Sequence, residues 1–260
     1  MNLSGKSILL TGASSGIGYA VANKLSKENC KVAILARNTD KLREFASEFS
    51  SANSFILPIH CDVSDQEQVN SAFNTILAEF GEIDIAILNA GTSYRIDAGD
   101  FSADKGKEVV SVNLTGNFYF LEKLIPYFIS KKRGMIVGVS SLADTKGFPR
   151  SGVYNASKAA FSKVLESLRI ELSGYGIKVI TVRPGFVKTP MTDKNEFYMP
   201  LMMSPEKAAG IIVAGIKKEK RKIQFPFLTV VGTNLLGIIP DSIFEFFARR
   251  HLEGLKKKGL

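Results

Sequence analysis

Short, continuously apolar runs alternate with longer amphipathic segments along most of the chain. The apolar runs lie at residues 7–12, 31–36, 54–59, 83–91, 134–141 and 177–185. Runs without polar alternation indicate strands buried on both faces, as in a parallel sheet between two layers of helices. Helical periodicity fills the segments between them, at residues 16–28, 39–49, 65–80, 104–131, 153–174 and 205–218. The alternation predicts a single doubly wound α/β domain with a mostly parallel sheet of about seven strands.

The C-terminal region has a different pattern. No residue from Ile223 to Pro240 is charged, and the start of this run is predicted to be the seventh strand. The run is interrupted by Pro226, Gly232, Asn234 and Gly237, so a membrane-spanning helix is not expected. We therefore divide the chain into a domain at residues 1–227 and a C-terminal extension at residues 228–260. The extension is expected to be helical, and to be packed on the domain or continuous with it.

The last twenty residues combine apolar and basic side chains. The apolar ones are Ile243, Phe244, Phe246, Phe247, Leu252 and Leu255, and the basic ones are Arg249, Arg250, Lys256, Lys257 and Lys258. An amphipathic helix lying on an anionic membrane surface explains both sets. Packing against the domain or a second subunit explains the phenylalanines equally well. Both interpretations stay open at this point.

Composition and charge narrow the class of protein. The 260 residues are 45% hydrophobic and 23% charged, which is typical of a globular protein with a substantial core. The net charge of +9 comes largely from late clusters that do not interleave aromatic residues, and no nucleic-acid recognition motif is present. The N-terminal stretch lacks the features of a signal peptide, so a cytoplasmic location is expected. Cys30 and Cys61 have no metal-site spacing and are predicted to be buried free thiols.

A glycine-rich turn follows the first predicted strand and leads into the first predicted helix. Gly12, Gly16 and Gly18 allow a tight turn and close approach of backbone to a phosphate, which the helix N-terminus attracts. Dinucleotide folds usually place an acidic residue at the end of the second strand, but here that position is Arg37. A guanidinium pairs with a 2′-phosphate, so this position favours NADP(H) over NAD(H). The alternative is a surface arginine that opens a helix.

Tyr154 and Lys158 are four residues apart, so they lie on one face of a helix. Alone, this pair fits a solvated lysine on an ordinary helix as well as it fits a proton-transfer device. A phenol has an unperturbed pKa near 10, and a neighbouring ammonium together with a positively charged nicotinamide stabilises its phenolate form. The wider set of motifs favours the second interpretation.

Seven short motifs occur in a fixed order: "TGASSGIG" (11–18), "CDVSD" (61–65), "NAG" (89–91), "VNLTGNF" (112–118), "VSS" (139–141), "YNASK" (154–158) and "RPGFVKTP" (183–190). With these motifs the chain resembles the short-chain dehydrogenase/reductase family over about residues 3–226. The resemblance implies a Rossmann-type fold and a homodimer through the helices at 104–131 and 153–174.

The resemblance also implies the site residues. The catalytic group is Asn113, Ser141, Tyr154 and Lys158. The cofactor-binding residues are Gly12, Ser15, Gly16, Ile17, Gly18, Arg37, Asp62, Val63, Asn89, Ala90, Gly91, Tyr154, Lys158, Pro184, Gly185, Val187 and Thr189. For Asp62, a helix or turn cap is the alternative. Asn113 is expected to hold a water that relays protons to Lys158. No metal is implied.

These residues predict an NADPH-dependent oxidoreductase that transfers hydride to a ketone or aldehyde, or from the corresponding alcohol. Phe197, Tyr198, Met199, Leu201, Met202 and Met203 make the variable loop at residues 192–210 apolar, which favours a hydrophobic or lipid-like substrate. The alternative is a non-catalytic NADP(H)-binding sensor, or a scaffold at a membrane surface, on the same fold. The four catalytic candidates favour an enzyme, because site residues rather than the fold carry function.

Overall fold

A seven-stranded sheet forms the centre of the protein. The structure is a computed structural model that describes residues 1–51, 54–195 and 198–257. The strands are β1 (Ser7–Thr11), β2 (Lys31–Ala36), β3 (Phe55–His60), β4 (Ile85–Leu88), β5 (Gly134–Val139), β6 (Ile177–Pro184) and β7 (Lys222–Phe225). They are all parallel in the order β3-β2-β1-β4-β5-β6-β7. This is the predicted doubly wound Rossmann-type domain, and the fold class is confirmed.

Helices cover both faces of the sheet. They are α1 (Gly16–Leu25), α2 (Thr39–Phe49), α3 (Gln66–Phe80), α4 (Ala103–Val110), α5 (Gly116–Lys131), α6 (Gly152–Glu171), α7 (Pro205–Lys217), α8 (Phe227–Ile238) and α9 (Asp241–Lys257). One apolar core lies between the sheet and helices α1, α2 and α7. A second lies between the other face and helices α3, α5 and α6. Burial on both faces explains why the strands are continuously apolar.

The strand order reverses between β1 and β4, which are neighbours in the sheet. From β1 the chain winds outward to β3, and it then returns to β4 on the other side of β1. Connections that leave β1 and β4 therefore diverge at their carboxyl ends and leave a crevice there. Helix α6 packs closely on β5, because a Cβ atom at Gly138 would lie only 2.3 Å from Leu165 Cδ1 of α6.

The predicted long helix at 104–131 is interrupted. Helix α4 ends at Val110, and a π-helical turn over Ser111–Thr115 joins it to α5. The Gly116 amide accordingly bonds to the Ser111 carbonyl, five residues back. A π turn inserts one residue into a helix without breaking its hydrogen bonding, so the apolar periodicity alone did not reveal it.

The uncharged run after β7 forms helix α8, in agreement with the helical extension expected for residues 228–260. Helix α8 accommodates Gly232 and Gly237, although glycine disfavours a helix interior. Tertiary packing offsets this cost at Gly237, where a Cβ atom would lie 3.2 Å from Thr145 Cγ2. Among the described residues, no helix combines the length and apolar character that crossing a bilayer requires. The division of the chain at residues 227 and 228 falls at the start of α8 and stays a prediction.

Candidate active site

A cleft of about 390 Å³ opens at the carboxyl ends of the strands, where the strand order reverses. All but one of the predicted site residues line it: Gly12, Ser15, Gly16, Ile17, Gly18, Arg37, Asp62, Val63, Asn89, Ala90, Gly91, Ser141, Tyr154, Lys158, Pro184, Gly185, Val187 and Thr189. The exception, Asn113, is fully buried behind the cleft. The segments that leave six strands therefore contribute to a single depression.

The glycine-rich turn leaves no room for side chains. A Cβ atom at Gly18 would lie 2.1 Å from the Gly12 carbonyl oxygen and 2.6 Å from Asn89 Nδ2. Asn89 Nδ2 donates to the carbonyl oxygens of Thr11 and Gly12 at 3.0 and 3.2 Å, which ties the ends of β4 and β1 together. Ser15 precedes α1, and its side chain makes no capping bond. The N-terminal amides of α1 can therefore bind an anion that enters the cleft.

The far end of the cleft carries opposite charges. Arg37 directly follows β2, and its Nη1 atom lies 3.9 Å from Asp62 Oδ2. Asp62 Oδ1 also accepts hydrogen bonds from the Ser64 amide at 3.0 Å and the Ser64 hydroxyl at 2.7 Å. Asp62 thus stabilises a turn, as the alternative interpretation has it, and lines the cleft as well. The Arg37 side chain is mostly exposed.

The opening of α6 places Tyr154 and Lys158 on its cleft face, one turn apart. Lys158 Nζ donates to the Val139 carbonyl oxygen at 2.9 Å and lies 5.9 Å from the centre of the Tyr154 ring. The Tyr154 phenol is hydrogen-bonded to the Ser141 side chain. Ser141 is held in turn because its Oγ atom accepts from the Ala143 amide at 3.1 Å. A serine, a phenol and an ammonium therefore meet at one end of the cleft.

Asn113 lies on the π turn and fastens the cleft wall. Its Nδ2 atom donates to the Thr92 carbonyl oxygen at 2.9 Å and to Ser157 Oγ at 3.0 Å, and its Oδ1 atom accepts from the Thr92 amide at 2.8 Å. Its own carbonyl oxygen accepts from Asn117 Nδ2 at 2.7 Å. The side chain thus joins the segment after β4 to helix α6, beside Lys158.

Burial dominates the electrostatics of the pair on α6. It raises the pKa of the Tyr154 phenol above its ordinary value, although the bond from Ser141 acts in the opposite direction. Burial also lowers the pKa of Lys158 to about 8, and the carboxylate of Asp144 partly opposes this. The sequence analysis expected a lowered phenol pKa from the ammonium and a bound nicotinamide together. In the protein alone the direction is reversed, because desolvation outweighs the nearby polar groups.

Sequence reasoning missed several residues of the cleft. These are Ser14, Ala36, Asn38, Cys61, Thr92, Val112, Val139, Ser140, Pro190, Met191 and Thr192. Most adjoin a recognised motif, so sequence proximity is the signal that identifies them. Thr192 is different, because its hydroxyl closes the turn after β6 by donating to the Val187 carbonyl at 2.7 Å. Cys30 and Cys61 are buried and free, as predicted.

Comparison with known proteins gives consistent results. The family described as short chain dehydrogenase matches residues 6–197. An uncharacterized oxidoreductase of Myxococcus xanthus (strain DK1622) is 32% identical over 248 residues, which span 95% of this chain and 98% of that protein. An uncharacterized oxidoreductase of Staphylococcus epidermidis is 30% identical, over 80% of this chain and 89% of that protein.

Two solved structures share the architecture. A 3-ketoacyl-(acyl-carrier-protein) reductase from Brucella melitensis, complexed with NADH, has a TM-score of 0.77 at 26% identity and covers 85% of this chain and 96% of its own. A short chain dehydrogenase/reductase from Burkholderia phymatum, in complex with NAD, has a TM-score of 0.82 at 22% identity, over 95% of this chain and 96% of its own. At that identity the second likeness concerns the fold alone.

The buried ammonium of Lys158 leads to a prediction about stability. Below pH 8 the folded protein carries this charge in its interior, whereas the unfolded chain keeps the lysine protonated up to its ordinary pKa of 10.5. Unfolding therefore takes up a proton between these values, and stability rises with pH across that interval. We expect Lys158→Met to stabilise the cofactor-free protein at pH 7 by on the order of 1–3 kcal/mol, with the gain vanishing near pH 10.5.

Urea unfolding of the wild type and the variant at several pH values measures this gain. Lys163→Met is the matched control, because Lys163 is an exposed lysine on the same helix, and its effect should stay within about 0.5 kcal/mol. A loss of stability at pH 7, or a gain that does not depend on pH, would contradict the prediction.

Proposed function

This chain belongs to the short-chain dehydrogenase family and is an oxidoreductase, and on that premise we propose that it is an NADPH-dependent reductase of hydrophobic ketones or aldehydes. The observation that carries the proposal is the grouping of Ser141, Tyr154 and Lys158 at one end of a cleft whose other end has the features of a nucleotide site. The reverse reaction, oxidation of an alcohol, uses the same residues. We propose that it acts in the cytoplasm.

The cleft fits a nicotinamide dinucleotide. The backbone at Gly18 and Gly12 is too close for any side chain, and the N-terminus of α1 faces a pyrophosphate placed there. Asp62 and Val63 would hold the adenine, and Asn89, Ala90 and Gly91 the adjoining ribose. Pro184, Gly185, Val187 and Thr189 would approach the nicotinamide. A bound dinucleotide supplies the hydride in reduction and accepts it in oxidation.

The chain's own residues handle the oxygen and its proton. In reduction, the Ser141 hydroxyl donates a hydrogen bond to the substrate carbonyl oxygen and stabilises the negative charge that develops there. The Tyr154 hydroxyl donates its proton to this oxygen, and in the reverse reaction Tyr154 takes the proton back. Lys158 would hold the nicotinamide ribose of a bound dinucleotide, and its ammonium stabilises the phenolate that remains. Asn113 fixes the segment beside Lys158 and is the proposed holder of a relay water.

The proposed substrate class rests on apolar side chains beside the cleft. Tyr198, Leu201 and Met202 are exposed, and Met203 is tied back to the cleft because its carbonyl accepts from the Lys188 amide at 2.9 Å. An exposed apolar loop at the edge of a cleft favours a hydrophobic substrate. Phe197, which the sequence analysis included in this loop, lies outside the described residues.

Tyr154→Phe tests the catalytic assignment. We expect kcat to fall by about a hundredfold or more, because the proton donor is lost, while the Kd for NADPH changes little. The assay is NADPH consumption with carbonyls that run from small aldehydes to long-chain 3-keto substrates. The control is Tyr175→Phe, which changes an exposed tyrosine further along the chain than Tyr154. This variant should retain wild-type activity. Turnover that survives in Tyr154→Phe would refute the assignment, and tight NADPH binding without turnover on any substrate would favour the sensor.

The preference for NADPH rests on Arg37. Arg37 directly follows β2, which is the position from which a guanidinium would pair with a 2′-phosphate, and Asp62 is close enough to share its charge. We expect Arg37→Gln to weaken NADPH binding by about ten- to a hundredfold, because a charge-assisted bond is lost, and to leave NADH binding nearly unchanged. Arg43→Gln, an exposed arginine on α2, is the control. Calorimetric Kd values decide, and a wild type that binds NADH as tightly as NADPH would overturn the preference.

We further propose peripheral contact with an anionic membrane through α8 and α9. Exposed apolar side chains follow helical spacing on both helices, namely Phe227, Leu228, Val231, Leu235, Ile238, Ile243, Phe246 and Phe247. Arg249 and Arg250 beside them are exposed and basic. The turn between the helices is fastened near the cleft, because Lys146 Nζ lies 2.5 Å from Asp241 Oδ1 and the rings of Phe148 and Phe244 are 5.8 Å apart. A membrane surface there would lie close to the proposed substrate entrance.

Co-sedimentation with phosphatidylserine-containing vesicles tests this contact. We expect the full-length protein to bind at low salt and Phe246→Glu/Phe247→Glu to lose binding, because a charge opposes insertion of the apolar face. Phe101→Glu, at an equally exposed phenylalanine outside this face, should bind as the wild type does. Failure of the wild type to co-sediment at low salt would eliminate the membrane proposal.

The proposed oligomer is a homodimer through α5 and α6. Phe118 and Ile170 are exposed apolar residues on these two helices, which supports association there. Light scattering without vesicles reports the mass, and a monomer would rule the dimer out. A dimer that Phe246→Glu/Phe247→Glu dissociates would instead assign the apolar face of α8 and α9 to a second copy.

A further inference from the structure

A buried ion pair lies directly behind the catalytic group. Arg183 Nε lies 3.0 and 2.9 Å from the two carboxylate oxygens of Asp144, and Arg183 Nη2 makes a further bond to Oδ1. Only 5% of the Asp144 side chain and 15% of the Arg183 side chain are exposed. Two charges removed from water in this way need close mutual contact and further hydrogen bonds to be tolerated.

The carboxylate of Asp144 is linked to helix α6 through two serines. Ser162 Oγ lies 2.6 Å from Asp144 Oδ2 and 2.7 Å from Ser140 Oγ. Ser140 Oγ donates to the Lys158 carbonyl oxygen at 2.9 Å. The two hydroxyl protons can make two of these three contacts at a time, so the serines connect the ion pair to the backbone of the catalytic lysine through close polar contacts.

The same pair also fixes two other catalytic segments. The Asp144 amide donates to the Ser141 carbonyl at 3.2 Å, so the carboxylate sits on the turn that presents Ser141. Arg183 lies on β6, immediately before Pro184 and Gly185 of the proposed nicotinamide segment. The pair thus joins three parts of the site, namely the Ser141 turn after β5, the end of β6 and helix α6.

We propose that the Asp144–Arg183 pair is a positioning element of the active site, which holds the Ser141 turn against α6 and keeps the charge behind Tyr154 and Lys158 balanced. The pair touches neither substrate nor cofactor in this role. Its effect on turnover rests on the proposed function, whereas its effect on the charge at Lys158 does not.

The two members of the pair act on the pKa of Lys158 in opposite directions. Asp144 raises the pKa of Lys158 and of Tyr154, and it is the charged group that acts on both. Removing Asp144 leaves the Arg183 cation, which disfavours a protonated lysine nearby. Removing Arg183 leaves the Asp144 anion unpaired, which favours it. Opposite shifts are therefore the signature of a balanced pair, whereas general loosening of the site moves both variants in the same direction.

The test is the titration of Lys158 in the full chain without cofactor, by NMR of carbon-labelled lysine. Lys158→Met identifies its signal, which should titrate near 8 and so apart from ordinary lysines. We expect Asp144→Asn to lower the pKa of Lys158 and Arg183→Met to raise it, each by about one unit. The double variant should return it toward the wild-type value. Arg133→Met, which removes an exposed ion pair with Glu82, is the control and should change nothing.

Steady-state kinetics with the best carbonyl substrate test the positioning role. Arg183→Lys keeps the charge but cannot make the two-pronged contact. We therefore expect an unchanged Lys158 titration and a kcat about tenfold lower, with little change in KM for NADPH.

An unshifted pKa of Lys158 in both Asp144→Asn and Arg183→Met, or shifts in the same direction in both, would overturn the proposal. Thermal melting identifies variants that fail to fold, and for these the double variant decides. If the protein turns over no carbonyl, the titration still gives a result.

Discussion

All seven strands run in one direction, so their carboxyl ends share one edge of the sheet, and all the candidate site residues except Asn113 line the cleft at that edge. Parallel pairing imposes this arrangement, because after each strand a crossover helix must carry the chain back to the opposite edge of the sheet, where the next strand begins. Residues far apart in the chain, such as Arg37, Ser141 and Thr189, are brought to one cleft without any dedicated long loop. The glycine-rich turn then lies directly against the segment after β4, because a Cβ atom at Gly12 would be 2.8 Å from Ala90 Cα.

The site keeps several charges in its interior, and each is compensated locally. Lys158 gives a hydrogen bond to the Val139 carbonyl, and Arg183 pairs with Asp144. Away from the cleft, the buried Arg169 donates to the Val179 carbonyl at 2.8 Å and to the Thr181 hydroxyl. Buried charges near the cleft reduce the stability of the fold. Groups of this kind cluster at functional sites, where their role in catalysis or binding offsets the loss of stability.

Much of this architecture follows from local sequence. Apolar runs identify the strands, and the glycine turn and the Tyr154–Lys158 spacing depend on residues within a few positions of each other. What the sequence could not reveal depends on distant partners. Asp144 and Arg183 are 39 residues apart with no shared pattern, and the close approach of Gly237 on α8 to Thr145 likewise joins distant parts of the chain. The direction of the Tyr154 pKa likewise depends on burial, which no motif encodes.

The π turn at Ser111–Thr115 lets one helical segment serve both the site and the core. It amounts to a single residue added to what is otherwise one continuous helix through α4 and α5. In an uninterrupted helix, one residue fewer rotates everything beyond it by about 100°, so Asn113 and the buried face of α5 could not both keep their present directions. With the extra residue, Asn113 reaches Thr92 and Ser157 while Phe120 and Leu124 stay in the core. The insertion of one codon is thus enough to separate the requirements of the site from those of packing.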